Sequence, residues 1–187
     1  MNRIRRWSLV LKGVFLLVFV GTPIVQLVGW GLVFGHGDFA NPDSPLQAAL
    51  LPAAIRDALP PLPPVTLPIR LAALAASMLP AAMTMTMCAH LIRLFQAYAR
   101  GELFTAANAR HIKLAGLWLL LRQLADPLYG ALLSALLTLN APPGQRMISL
   151  GFGSLNLLGA LAGAGILLVA WIMQEGCRLQ DENALTI

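Results

Sequence analysis

The chain has 187 residues, of which 58% are apolar and only 11% are charged, and its formal net charge is +5. A soluble domain usually carries about 25% charged residues, so this composition excludes a soluble globular protein and predicts one integral membrane domain over residues 1–187. The basic residues flank apolar runs and do not alternate with aromatic side chains, which argues against direct nucleic-acid binding and makes the lipid bilayer the expected partner.

Four apolar runs, taken in chain order, predict an all-α integral membrane protein with four transmembrane helices. About 20 apolar residues in a helix cross the roughly 30 Å hydrocarbon core, and the runs lack the alternating pattern of lipid-facing β-strands. The first run is longer than the apolar part of a signal peptide, so we expect it to stay attached as an anchor. The predicted spans are residues 13–34, 71–89, 114–139 and 150–173.

Lysine and arginine near the span ends predict the orientation of the protein. Eight basic residues precede the first span or connect the second and third spans, whereas the two other connections together hold three. Because short cytoplasmic segments are enriched in Lys and Arg, we expect both termini in the cytoplasm. The loop 36–68 is then extracytoplasmic, and it is either a short helix on the membrane surface or an extended proline-rich linker.

The connection between the second and third spans predicts a cytoplasmic helical hairpin with the turn RGELFT. Gly101 is a typical residue for ending a helix. Thr105 is a suitable N-cap for the next helix, although Asn108 stands three residues later where a capping box would have Glu or Gln.

The segment QEGCRLQDENALTI after the fourth span predicts a short cytoplasmic C-terminal tail that is compatible with a helix. We expect Leu179 and Leu185 to pack on the hairpin while the charges of the two segments pair with each other. Such a contact is either a structural latch that closes the helix bundle or a docking surface for a partner. The residues of this latch or interaction surface are Arg100, Gly101, Glu102, Phe104, Glu175, Gly176, Arg178, Glu182, Leu185 and Thr186.

Two segments, YARGELFTAANARHIKLAGLWLL and EGCRLQDENALTI, resemble the bacterial membrane family known as domain of unknown function 2975. The chain departs from the family pattern at Ala99 and Ala184, where the family often has an acidic residue. The resemblance implies four spans in a bacterial inner membrane, and it carries over no activity and no cofactor. Members often occur beside small helix-turn-helix regulators, which implies such a cytoplasmic regulator as a possible partner.

Arg122 and Asp126 lie inside the third predicted span, where ionisable residues normally face the bundle interior or water. Their spacing of four residues puts both side chains on one face of a helix. They form either a buried polar site for a proton, an ion or a small solute, or an ion pair in which the two charges only satisfy each other. In the second case Arg122 reaches towards the membrane surface.

Two further patterns lie in the second and fourth spans. Met83, Met87 and His90 share one helix face and are ligands suited to Cu(I), but methionine also fills gaps in apolar packing. Gly159 and Gly163 form a face of small residues that permits close helix approach, either to another span of the same chain or to a second copy in a homodimer.

The sequence contains none of the common catalytic motifs, so we expect no enzymatic activity and no cofactor. The leading functional hypothesis is a non-enzymatic interaction or regulatory protein that contacts a cytoplasmic partner through its hairpin turn and tail. The alternative is transport or binding of a small solute, ion or proton at Arg122 and Asp126, followed by copper handling.

Overall fold

The computed structural model describes residues 2–36, 50–51 and 65–184, and four α-helices contain most of them. The described residues contain no β-strand, so the prediction of an all-α protein is confirmed. The helices are α1 (Asn2–His36), α2 (Leu67–Ala99), α3 (Ala106–Leu137) and α4 (Ser154–Ala184).

Three of the four helices are long and apolar enough to cross a membrane. The segments concerned are Arg5–Gly31, Leu67–Ala99 and Ser154–Gln180. The shortest of them has 27 residues, and a helix of that length extends about 40 Å, which exceeds the roughly 30 Å hydrocarbon core. The helix α3 has 32 residues and contains Pro127.

The helix ends differ from the predicted span ends because a helix does not stop where the hydrocarbon core ends. The helix α4 begins at Ser154 and not at residue 150, since glycines at 151 and 153 disfavour helix. It then continues without a break to Ala184, so the predicted tail is a helical extension up to that residue. Residues 185–187 and most of the predicted loop 36–68 lie outside the described residues.

The chain forms two compact units, and each of the four helices contributes a stretch to both. The first unit contains Met1–Val20, Met83–Leu121 and Leu158–Ile187, and the second contains Gly21–Ala82 and Arg122–Leu157.

The second unit has an apolar core built from α1, α2, α3 and the residues before α2. The Tyr129 hydroxyl donates a hydrogen bond to the Leu50 carbonyl at 3.3 Å. A Cβ at Gly29 would lie 2.7 Å from Leu50 Cδ2, so glycine permits the close approach of Leu50 to α1. The buried core residues are Trp30, Leu50, Leu51, Val65, Ile69, Ala73, Tyr129, Leu133 and Leu137.

Side-chain hydroxyls tie the connection between α3 and α4 to the end of α3. The backbone N–H of Met147 donates to Thr138 Oγ1 at 3.2 Å, and that of Ser149 donates to Ser134 Oγ at 2.9 Å. These contacts hold an irregular segment of the second unit against α3 without regular helix hydrogen bonds.

Candidate functional site

The hairpin turn begins where α2 ends in a left-handed glycine. Gly101 has φ +88°, its N–H donates to the Tyr98 carbonyl at 3.1 Å, and the Glu102 N–H donates to the Ala97 carbonyl at 3.1 Å. This pair of hydrogen bonds is the Schellman arrangement that satisfies the last carbonyls of a helix. The prediction that Gly101 ends the helix is confirmed.

The side chains of Thr105 and Asn108 close the other side of the turn, where α3 begins. The Asn108 N–H donates to Thr105 Oγ1 at 3.2 Å, which confirms Thr105 as the N-cap. The Asn108 amide also donates to the carbonyls of Glu102 at 2.6 Å and Leu103 at 3.3 Å. Asn108 is only 1% exposed, so this residue holds the path of the turn from inside.

The turn displays an aromatic side chain beside an ion pair, and we call Arg100, Glu102 and Phe104 the turn surface. Phe104 is 78% exposed. Arg100 Nε and Glu102 Oε1 lie 3.0 Å apart, and both side chains are at least half exposed. The fixed backbone therefore presents an apolar ring and two charges to the surroundings.

The C-terminal end of α4 carries charges that pair along its own helix, and we call Glu175, Arg178 and Glu182 the α4 end. Arg178 lies 2.6 Å from Glu175 and 3.5 Å from Glu182, with all three side chains exposed. Leu179 is about half exposed. Leu185 and Thr186 lie outside the described residues.

Among the described residues, Arg100 and Arg178 do not form the ion pairs that were expected between the turn and the tail. Arg100 pairs with Glu102 inside the turn, and Arg178 pairs within α4. The physical reason is proximity, since partners two to four residues apart in a fixed backbone meet without bringing two segments together. Gly176 is exposed, and a Cβ there would meet nothing within 4 Å.

Two histidines meet between α2 and α3, a contact that sequence analysis did not find. His90 Nδ1 and His111 Nδ1 lie 3.2 Å apart. In a neutral pair one nitrogen donates and the other accepts, so the two rings take opposite roles at this contact. Burial, together with the positive charges of Arg93 and Arg110, lowers the pKa of His111. One feature of the sequence does indicate this contact. The histidines stand at nearly equal distances from the turn, eleven residues before and ten residues after Gly101, as residues that face each other in a helical hairpin do.

The first unit also contains an aromatic contact between α1 and α2. The rings of Phe15 and Phe95 are stacked with centroids 5.7 Å apart, and Tyr98 meets Phe95 edge-on at 6.1 Å. Offset and edge-on arrangements are the favoured geometries of aromatic pairs. Tyr98 thus contacts Phe95 through its ring and accepts the Gly101 N–H through its backbone carbonyl, so it connects the aromatic contact to the turn.

The helices α3 and α4 approach each other at two glycines. A Cβ at Gly163 would lie 3.0 Å from the Leu120 nitrogen and 3.2 Å from the Gly116 carbonyl oxygen. Such a position brings the backbones together as in close-packed membrane helices. Gly163 of the predicted small-residue face therefore packs within the chain, and homodimer formation stays a prediction.

The predicted intramembrane pair is present, since Arg122 Nη1 contacts Asp126 Oδ1 one helical turn away. The two side chains are 27% and 16% exposed. Of the residues considered for copper, Met83 and Met87 are partly buried on α2, and His90 contacts His111. Among the described residues, no three His, Cys, Asp or Glu side chains are grouped as metal ligands.

A family model described as "Protein of unknown function (DUF2975)" matches residues 5–187 of the chain. The chain belongs to this family, and the resemblance that the turn and tail motifs indicated is confirmed. No curated protein and no solved structure matches the chain.

Proposed function

We propose that this protein is a non-enzymatic interaction or regulatory protein of the membrane, which binds a cytoplasmic protein partner through the turn surface and the α4 end. The observation that carries the proposal is Phe104, a large apolar side chain that is 78% exposed on a turn whose backbone is held from both sides. Phenylalanine is among the side chains that are enriched in the buried centre of protein interfaces.

A rigid turn makes Phe104 a better anchor than a flexible loop would. Binding costs about 0.5–1.5 kcal/mol for each side chain that must be immobilised, and ordering a loop adds to that cost. Here Gly101, Thr105 and Asn108 already fix the backbone that carries Phe104. The partner we propose is a small helix-turn-helix regulator, in keeping with the family resemblance.

We also propose that α3 is a fourth span and that both termini face the cytoplasm of a bacterial cell, in its inner membrane. Residues of α3 share one buried core with Ile69 and Ala73 of α2, a helix apolar enough to cross. The contact between Arg122 and Asp126 lowers the cost of placing charges in hydrocarbon. The distribution of Lys and Arg supports the orientation.

Two exposed phenylalanines allow a matched test of both proposals. Phe104 lies in the turn, and Phe152, which is 69% exposed, lies just before Ser154, at the start of α4, the end that we propose to be extracytoplasmic. With Cys88 and Cys177 replaced by alanine, single cysteines at 104 and 152 are treated with a membrane-impermeant maleimide on intact cells. We expect labelling at 152 only, and labelling at 104 would reject the proposed orientation.

The interaction is tested by placing a photo-crosslinking amino acid at position 104 and, as the control, at position 152. We expect position 104 to crosslink one discrete cytoplasmic protein, and charge reversal of the three residues of the α4 end to reduce the yield. Crosslinking of lipid alone at both positions would mean that Phe104 rests in the membrane interface, and the interaction proposal would fail.

A second candidate function is binding or transport of a small solute, ion or proton at Arg122 and Asp126. It is favoured by the partial burial of both charged side chains on a helix that packs in the apolar core. Asp126→Asn in proteoliposomes should abolish proton or ion flux under this hypothesis and leave the crosslink at position 104 unchanged. Flux equal to that of empty liposomes in both variant and parent would exclude transport of the ion tested.

A further inference from the structure

Four basic side chains lie together where α2 and α3 face each other near the turn. The rings of His90 and His111 are in contact, with centroids 5.4 Å apart. Arg93 follows His90 by one helical turn, and Arg110 directly precedes His111. Both arginines are exposed, and neither forms an ion pair with a carboxylate of the described residues. The charges that act on the histidine pair are therefore positive from both helices.

The position along α2 places this cluster close to the membrane surface. His90 lies 23 residues after Leu67, the first residue of α2 (90 − 67 = 23). At 1.5 Å per residue this distance is about 35 Å, slightly more than the roughly 30 Å thickness of the hydrocarbon core. When α2 crosses the bilayer, the cluster lies at the depth of the phospholipid headgroups.

We propose a binding site for the phosphate of an anionic phospholipid headgroup, formed by His90, Arg93, Arg110 and His111. Guanidinium groups donate hydrogen bonds in a geometry that matches phosphate oxygens. Basic pockets between membrane helices are a known setting for anionic headgroups. A bound anion would offset the repulsion among these cations, for which the described residues provide no carboxylate partner.

The histidine pair makes binding depend on pH. In the neutral pair, one Nδ1 donates to the other. When both rings are protonated, both Nδ1 atoms carry a hydrogen and this bond is lost. A phosphate oxygen can accept hydrogen bonds from both rings, so the anion is bound more tightly as the pH falls.

The site is tested with the full-length chain in a neutral detergent, titrated with dioctanoyl phosphatidylglycerol and followed by native mass spectrometry. A Lys or Arg side chain that lies next to an anionic headgroup contributes about fivefold in affinity. The variant R93Q/R110Q should therefore bind about 25-fold more weakly. The control R5Q/R6Q removes two exposed charges from the start of α1 and should leave the affinity nearly unchanged. Equal losses in both double variants would overturn the proposal.

Further variants separate the roles of charge, histidine and ligand source. R93K/R110K keeps both charges without the guanidinium geometry, so it should bind more tightly than R93Q/R110Q and more weakly than the parent. This partial recovery excludes misfolding as the cause of the loss in R93Q/R110Q. H90Q/H111Q should bind at pH 7.5 like the parent and lose the gain at pH 5.5, and an unchanged gain would reject the histidine role. Displacement of the lipid by millimolar inorganic phosphate would overturn the assignment to a lipid headgroup.

Discussion

Replacing Gly163 by alanine should weaken the packing of α4 on α3, whereas the same replacement at Gly165 should not. At Gly163 the added Cβ would lie 3.0 Å from the Leu120 nitrogen and 3.2 Å from its Cα. Both are backbone atoms, so neither can rotate away. At Gly165 a Cβ would meet nothing within 4 Å, which makes it a matched control two residues along the same helix.

The size of the expected loss of stability follows from how far the new methyl group pushes α3 and α4 apart. Carbon contacts are optimal at about 3.5–4.0 Å, so the helices must move apart by roughly 0.5–1 Å, and a gap of that size loses a quarter to a half of the dispersion energy of the contacts. Overpacking of this kind costs about 1–3 kcal/mol. Alanine also favours helix over glycine by about 0.8–1.0 kcal/mol, and that gain applies at both positions.

The expected result is a difference of about 1–3 kcal/mol in the free energy of unfolding between Gly163→Ala and Gly165→Ala. It is measured by reversible unfolding in mixed micelles with increasing SDS, followed by tryptophan fluorescence, since Trp118 on α3 and Trp171 on α4 report on the two helices. Equal unfolding free energies for the two variants would refute the close approach of α3 and α4 at Gly163.

Three further predictions concern the hairpin turn and its histidines. Gly101→Ala should lower the unfolding free energy by about 1–2 kcal/mol, because a side chain is strained at φ +88°; Gly101→Asn should lose less in the same SDS titration. Asn108→Ala should cost about 1–3 kcal/mol, because two carbonyls of the turn lose a buried donor, and faster proteolysis within the turn should accompany the loss. His111 has a lowered pKa in the folded state, so the unfolded chain binds its proton first as the pH falls. The contribution of neutral His111 to stability is present above about pH 6.5 and is lost as the pH falls below that value. The unfolding free energies at pH 7.5 and 5.5 should therefore differ less in His111→Gln than in the parent chain.

Features that depend on residues only a few positions apart in the chain could be predicted from the sequence. Gly101 and Thr105 mark the two sides of the hairpin because a left-handed glycine and a hydroxyl N-cap act on backbone groups within four residues. Arg122 and Asp126 pair because a spacing of four residues brings side chains together on any helix. Helix α4, in contrast, continues from the predicted span through the predicted tail to Ala184, whereas the sequence predicted only that the tail is compatible with a helix.

Features that depend on how separate helices meet could not be predicted in the same way. The contact of His90 with His111 requires the register of α2 against α3, which periodicity within either helix does not contain. The same holds for the approach of Gly163 to Leu120. Asn108 is a different case, since it stands three residues after Thr105, where a capping box would have Glu or Gln. Its amide donates to two carbonyls of the turn, a role that depends on the path of the backbone before the helix.

The local pairing of charges bears on the choice between a structural latch and a docking surface. Exposed ion pairs contribute only about 0–1 kcal/mol to stability, and Arg178 is paired with acids on its own helix. Such a residue adds little to holding α4 against the turn, because its attraction is already directed along α4. The same pair is easily exchanged for a partner's charge, since the exposed side chains remain largely hydrated. The ion pairs of Arg178 therefore give a structural latch little electrostatic support, while Phe104 and the Arg100–Glu102 pair remain exposed on the turn for the proposed partner.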